Sequence, residues 1–388
     1  MENVLVIGAN TRPMACSLKN MRYNVYSVDY FGCQDINQCV TDKKSFLSQK
    51  PFNSCGYFSQ QFDSQKLVNM AEEYIELVDF IVCCSGVSPL KFPKNKLIGN
   101  RDVTDIENKY KLYKRLSKKF EGIFELPETY LVTDLQEAIE IDAASNKNFL
   151  LKPLVGSGGL GIRNFDPTDQ DVEIHDVVLQ EIVEGDDISA SVLSSGDETT
   201  TILTSQQLIG KSWLGQREIY GYCGNIAPYT EKFDANKNIN MQKDFKEVAE
   251  DVVKDLKLIG SNGVDLKINN GNIYLIEVNP RPQGTFEVAE LSLGINMAEA
   301  HIHACEGDLN NIPRPQKFAT KMIIHAKYRS LVGNLDLKDL NDIPGSEVII
   351  EKGEPVATVL TSGKLLENTI FSAKKIVSNV YQDLNPIS

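Results

Sequence analysis

The chain has 388 residues, with 40 Lys and Arg against 53 Asp and Glu, for a formal net charge of −13. The length holds two or three folding units of about 150 residues, and 42% hydrophobic with 24% charged residues excludes global disorder. The acidic balance argues against nucleic acid and anionic membrane as partners, which need a clustered positive field, and no apolar run nears the ~18 residues of a membrane span.

The chain opens on a strand, Asn3–Gly8, then a helix to about Met21, a second strand, Asn24–Asp29, and a later one, Val78–Cys84. Short buried strands separated by helices predict βαβ units on a parallel sheet. Gly8 closing one strand and Asp29 the next fits a Rossmann-like unit. Residues 8–13 lack the further glycines that bring backbone onto a pyrophosphate, so NAD binding is not expected. Eight cysteines without a Cys-x-x-Cys pair or a zinc spacing, and no secretory leader, predict reduced thiols in a cytoplasmic protein, with no disulfide framework. Cys83 and Cys84 read as buried strand.

From Thr104 to Phe120, Ile106, Tyr110, Tyr113, Leu116 and Phe120 step by three or four, which predicts one amphipathic helix. Its exposed face carries Lys109, Lys111, Lys114 and Lys118. Asp134 to Glu137 has the form of a capping box. Strands are predicted at 149–153, 177–182, 188–193 and 199–208, then a helix at 241–258 and two strands around Asn269-Asn-Gly271. The last seventy residues read as a small β-rich module closed by a helix.

Three features carry chemistry. Lys152-Pro153 precedes Gly156-Ser157-Gly158-Gly159-Leu160-Gly161, where free backbone N–H groups and a point charge suit phosphate; a plain hairpin tip is the alternative. Gln180 to Asp187 ends a strand in a bend that offers polar edges to a base and a sugar. Asp265, Glu277 and Asn279 stand among apolar strand residues, where carboxylates are costly unless paired or metal-bound. Glu277 and Asn279 share a face and offer hard oxygen ligands; Arg281 follows as a fixed cation. Period-two alternation then constrains the hairpin. Asp265 opposes Glu277 only across an odd-numbered loop, Asn270-Gly271-Asn272, or a glycine bulge with Gly271 at positive φ. Leu266, Ile276 and Val278 are expected to fill the core face.

In this order and spacing the three features resemble the ATP-grasp ligases over roughly residues 1–310. The resemblance implies an α/β chain of α+β subdomains: an ATP-grasp fold with an N-terminal Rossmann-like domain (1–103), a lid subdomain (104–186), a subdomain with the metal site (187–311) and the β-rich C-terminal module (312–388). It implies ATP contacts from Lys109, Lys152, Gly156, Ser157, Gly158, Gly159, Gln180, Glu181, Val183 and Asp187, with Lys111 and Lys114 as alternatives to Lys109. It also implies Mg²⁺ or Mn²⁺ on Asp265, Glu277 and Asn279, and catalytic roles for Arg281 and Lys152. Residues 29–32 and 222–228 resemble the predicted ATP-grasp proteins of archaea and one-carbon-metabolising bacteria, and the C-terminal module resembles the tail of carboxylase-like members. The activity implied is carboxylate–amine ligation through an acyl phosphate, in cofactor biosynthesis or elsewhere. Bicarbonate activation and non-catalytic nucleotide sensing are the rivals. Carboxylate and amine substrates are expected to meet Asn10, Arg12, Ser85 and Asn225; assembly into a homo-oligomer is left open.

Overall fold

The computed structural model describes residues 1–120, 122–169, 174–230, 241–309 and 311–387. Four parallel strands open it: β1 (Asn3–Gly8), β2 (Asn24–Asp29), β3 (Asp42–Ser45) and β4 (Phe80–Cys83), in the order β3-β2-β1-β4. Leu5, Ile7, Val28 and Ile81 bury one face of this sheet, and Val4, Val6, Val25 and Val82 bury the other, as apolar runs flanked by helices must. Gly8 is required where it sits, since a Cβ there would lie 2.7 Å from that of Cys84. The Asp29 carboxylate is turned inward. Burial raises its pKa to about 6, while the Ser45 hydroxyl (2.6 Å) and the Gly32 amide donate to it, so it offers nothing to a ribose.

A second sheet follows: β5 (Thr129–Val132), β6 (Phe149–Pro153), β7 (Arg163–Asn164) and β8 (Val177–Glu181), antiparallel, in the order β5-β8-β6-β7. The largest sheet has eight strands: β9 (Asp186–Ser195), β10 (Thr199–Ile209), β11 (Tyr222–Ala227), β12 (Ile259–Asn269), β13 (Asn272–Asn279), β14 (Phe318–His325), β16 (Leu340–Asn341) and β18 (Pro355–Gly363), in the order β13-β12-β9-β10-β11-β14-β18-β16. The β-rich tail therefore continues this sheet rather than forming its own. Only β15 (Ser330–Val332), β17 (Ile349–Ile350) and β19 (Leu384–Pro386) lie outside it, as a small three-stranded patch.

Three expectations are corrected. The segment 104–120 is two helices, Thr104–Glu107 and Lys109–Lys119, because Asn108 leaves helical geometry and its side chain caps the second by accepting from the Lys111 amide (3.0 Å). The hairpin between β12 and β13 turns on two residues, Asn270 (φ 49°) and Gly271 (φ 94°), with Asn269 opposite Asn272. Its register is reset further along, between Asp265 opposite Glu277 and Leu266 opposite Leu275, so the extra residue is Ile276 rather than a glycine. Gly271 takes the expected positive φ and the two acids face each other as expected. Leu266 and Val278 are buried in the core with Leu275, whereas Ile276 is pushed into the cavity wall. Third, the cysteines are not all reduced. Cys16, on the helix Arg12–Asn20, is bonded to Cys39, 23 residues on, with Cα atoms 4.7 Å apart, while six others are free thiols. Cys83 is half-buried and only Cys84 fully so. Among the described residues, no helix is long and apolar enough to cross a membrane.

Candidate active site

A cavity of about 1150 Å³ runs between the β5-β8-β6-β7 sheet, the eight-stranded sheet and the ends of β1 and β4. Lys152 reaches it from β6, one residue before Pro153 closes the strand, and is 6% exposed. Burial lowers its pKa to about 8, Lys109 and Lys267 push the same way, and Glu277 and Asp265 oppose them. Of the five lysines on the second helix, Lys109 is the one turned inward. Its Nζ lies 3.9 Å from Glu277 Oε2 and donates to Gly156 O (3.2 Å), and its amide donates to Leu154 O (2.9 Å). Lys111 instead pairs outward with Asp105 (2.7 Å), both largely exposed. The Asn108 cap separates them: starting the helix at Lys109 points that residue at the site and the next lysine at water.

Asp265 and Glu277 oppose each other on β12 and β13. Burial and then the neighbouring Glu277 raise the Asp265 pKa to about 7. Asp265 Oδ1 is buried without a hydrogen-bond partner. Asn279 Nδ2 spans the pair, donating to Asp265 Oδ2 (3.0 Å) and to Glu277 Oε1 (3.5 Å), and its Oδ1 accepts from Arg281 Nη2 (3.0 Å). Arg281 Nε is likewise buried and unpartnered. Two facing carboxylates, one with an orphaned oxygen, suit a hard divalent cation. Among the described residues, no three His, Cys, Asp or Glu side chains are placed to hold a metal ion together, so a cation on this pair would draw further oxygens from a ligand. Asn279 gains an oxygen for it only by turning its amide over.

The glycine loop lies down on the large sheet. Gly158 O accepts from the Tyr222 amide (3.1 Å), and Gly159, at φ 81°, passes so close that a Cβ would sit 1.9 Å from Tyr220 O. Ser157 Oγ is 3.3 Å from Ser85 Oγ, so the loop also touches the end of β4. Gly156 flanks this contact through its bond to Lys109.

The end of β8, the strap after it and the start of β9 bring Gln180 and Glu181, Val183, and Asp187 to the cavity wall, with some side chains already engaged. Gln180 Nε2 donates to Thr129 Oγ1 (3.0 Å). The Glu181 carboxylate accepts from the Glu128 amide (3.0 Å) and pairs with Lys147 (2.9 Å). Asp187 pairs with Lys267 across the strands (2.7 Å).

The residues expected to grip substrate divide. Asn10, Ser85 and Asn225 line the cavity; Arg12 does not. Arg12 is 5% exposed and bound to Glu287 (2.5 Å), Asp342 (2.7 Å) and Asp35 (3.3 Å), so its charge is already matched by three carboxylates of the chain itself. Asn10 donates to the same Asp342 (2.9 Å). Asn225 lies within β11, not in a turn, and is fully buried. Its Oδ1 accepts from the Tyr222 hydroxyl and its Nδ2 donates to Ser205 Oγ (3.0 Å).

Lys321 was not anticipated. It is 6% exposed on β14, lines the cavity, and pairs with Glu287 (2.9 Å). Its signal is a lone cation in the apolar run Phe318–Ile324, the same cue that picks out Asp265. Tyr222, half-buried and lining the cavity, carries no such cue.

A family model described as the ATP-grasp domain matches residues 106–285. An uncharacterized protein of Methanocaldococcus jannaschii is 31% identical over 393 residues, covering 98% of this chain and 91% of that protein. The formate-dependent phosphoribosylglycinamide formyltransferase of Prochlorococcus marinus is 24% identical over 257 residues, 63% of this chain and 64% of its own. Among solved structures, N5-carboxyaminoimidazole ribonucleotide synthetase from Thermotoga maritima superposes with a TM-score of 0.68 at 16% identity, covering both chains fully. An L-amino acid ligase from Bacillus licheniformis gives 0.67 at 15%, over 100% of this chain and 98% of that one. At these identities the structural likenesses speak for the fold, along its whole length.

Proposed function

This chain belongs to the ATP-grasp family, and from that premise we propose that it is an ATP- and Mg²⁺-dependent ligase joining a carboxylate to an amine. The observation that carries the reading is the convergence of Lys109 and Lys152 with the facing Asp265 and Glu277 on one cavity. Two cations and a cation-seeking carboxylate pair are what a transferring phosphoryl group requires, since its catalysis is positioning and charge neutralisation. Residues 1–103 supply the acceptor-side strand ends, 104–186 the lid, 187–311 the metal strands and 312–388 the remaining wall.

The γ-phosphoryl group passes to a substrate carboxylate, giving ADP and an acyl phosphate; an amine then attacks the acyl carbon and inorganic phosphate leaves. Lys152 and Lys109 hold the phosphate oxygens, and the glycine loop covers them with backbone N–H groups. Asp265, Glu277 and Asn279 would hold Mg²⁺ or Mn²⁺, whose bound form supplies charge neutralisation between phosphates. Arg281, with Nε unpartnered, faces the charge that builds on the acyl phosphate. The strap from Gln180 to Asp187 takes the base and sugar.

ADP release over a panel of carboxylates and amines, with and without bicarbonate, tests the reading, with the product mass identifying the bond formed. Lys152→Ala is expected to lose about a hundredfold or more in rate with its melting temperature nearly kept in the absence of nucleotide. Bicarbonate-dependent ADP release without an amine would move the chain to the carboxylating branch, and near-normal turnover in Lys152→Ala would remove that lysine from the site.

A further inference from the structure

A second stretch of the cavity wall is built from other elements and other chemistry. Tyr30, 1% exposed, is the hub of a ring cluster, with centroids 5.1 Å from Phe31 and Phe46, 4.9 Å from Phe58 and 5.8 Å from Phe62. Phe31 and Phe58 lie nearly parallel, 5.7 Å apart with 13° between planes. Both are only half-buried, and both stand in the cavity wall beside Tyr57. Phe58 also stacks on Phe62 (4.7 Å, 27° between planes), so the cluster packs like a core on one side, while the half-buried Phe31 and Phe58 border the cavity on the other.

This shelf is braced from behind. Gln49 Nε2 donates to Phe31 O (2.5 Å) while its Oε1 accepts from the Gly345 amide, and the Phe58 amide donates to Glu354 Oε2 (2.9 Å). Both links cross from the first unit to the C-terminal residues, so the rings are set before a ligand arrives. A pre-formed aromatic face selects a flat, weakly hydrated group. It does not suit phosphate, which calls for converging buried cations. Among the described residues of this stretch, the basic side chains are Arg217 and Lys352, both exposed, and the buried Lys321 is already tied to Glu287.

We propose that the Phe31–Phe58 shelf binds a planar aromatic ring of the acceptor, so that the ligase acts on an aromatic-ring-bearing substrate rather than on a phosphorylated sugar. The assignment of this ring to an acceptor rests on the ligase reading; the binding of the ring to the shelf does not.

Saturation-transfer NMR on the full chain with MgADP tests it, using benzylamine, cyclohexylmethylamine and ribose 5-phosphate as probes. Benzylamine is expected to receive saturation at its ring protons and to bind at least fivefold more tightly than its cyclohexyl counterpart, with no signal from ribose 5-phosphate. Phe58→Leu and Phe31→Leu, which keep apolar volume and lose the ring face, are each expected to weaken benzylamine about tenfold while leaving the MgADP-induced melting shift in place. Equal binding of the two amines, benzylamine binding unchanged in both variants, or its displacement by ribose 5-phosphate would overturn the proposal. A wild-type chain without any MgADP-induced shift would instead defeat the nucleotide reading, and the comparison of the two amines would still decide the shelf.

Discussion

Two clusters of buried charge border the same cavity, built from the same side-chain types, and they differ in whether they are closed. Around Arg12, the carboxylates of Glu287, Asp342 and Asp35 and the ammonium of Lys321 satisfy one another. Burial pushes the Asp342 and Glu287 carboxyls up, yet Arg12 and Lys321 outweigh it and hold both below the usual range. Around Asp265, burial and Glu277 act in the same direction and the carboxyl is raised to about 7, with Oδ1 unpartnered and Arg281 Nε unpartnered nearby in sequence. A closed cluster joins pieces of the fold: Arg12 on the first helix, Glu287 on the helix Phe286–Leu293 and Lys321 on β14. An open one is an appetite for a ligand. Burial and charge alone do not tell them apart; the unfilled valence does.

Substitutions should separate the two. Arg12→Met leaves Asp342 and Glu287 buried without their main partner, and should cost about 3–5 kcal/mol of stability by denaturant melt, with KM for any substrate nearly unchanged. A raised KM without a stability loss would return Arg12 to the substrate site. Glu277→Gln should reduce Mg²⁺-dependent ADP release by about a hundredfold or more, with little recovery in excess Mg²⁺ and little change in melting. Recovery to near wild-type rate at high Mg²⁺ would mean the pair does not share the ion.

Asp265→Asn should trade activity for stability. The folded pKa of about 7 lies above the ordinary 3.8, so the folded chain holds this proton more tightly than the unfolded one. The stability tied to it is complete below about pH 4 and lost as pH rises through 7. Asparagine keeps the neutral shape at every pH. The variant should melt about 2 °C or more above wild type at pH 8 without metal, converge with it near pH 4, and be inactive. Equal melting at pH 8 would mean Asp265 is not strained by its surroundings. The smallest effect separates neighbours on one helix: Lys111→Ala should change kcat/KM less than about twofold, its ion pair being exposed, whereas Lys109→Ala should cost at least tenfold.

What was legible in the chain follows the range of the interaction that decides it. β1 and β2 could be bounded to the residue because short apolar runs end at Gly8 and Asp29, a local cue. The Asp265–Glu277 pairing was legible from period-two alternation, but the means was not. The turn takes two residues and the bulge moves to Ile276, since Asn270 and Gly271 suit a tight turn and the sheet absorbs the extra residue where β12 and β13 already bend. The Asn108 break was hidden by a continuous apolar periodicity and is visible only once its amide cap is seen. Arg12 follows a strand end in sequence with nothing local to occupy it, and its two nearest carboxylates, on Glu287 and Asp342, lie 275 and 330 residues away. The Cys16–Cys39 bond is likewise a matter of tertiary approach, with nothing in the spacing of 23 to announce it.

The eight-stranded sheet is also a ruler. β12, which carries Asp265, and β18, which begins beside the Glu354 that braces Phe58, are separated by β9, β10, β11 and β14, hence by five strand spacings. At about 4.8 Å each, that is about 24 Å of continuous hydrogen-bonded backbone along the sheet. Such a frame does not stretch without breaking its ladders. The span between Asp265 and the Glu354 that braces Phe58 is thus tied to the count of strands. On the ligase and shelf readings, a substrate that reaches both places spans that frame, so chain length, as much as chemistry, is a quantity this cavity would measure.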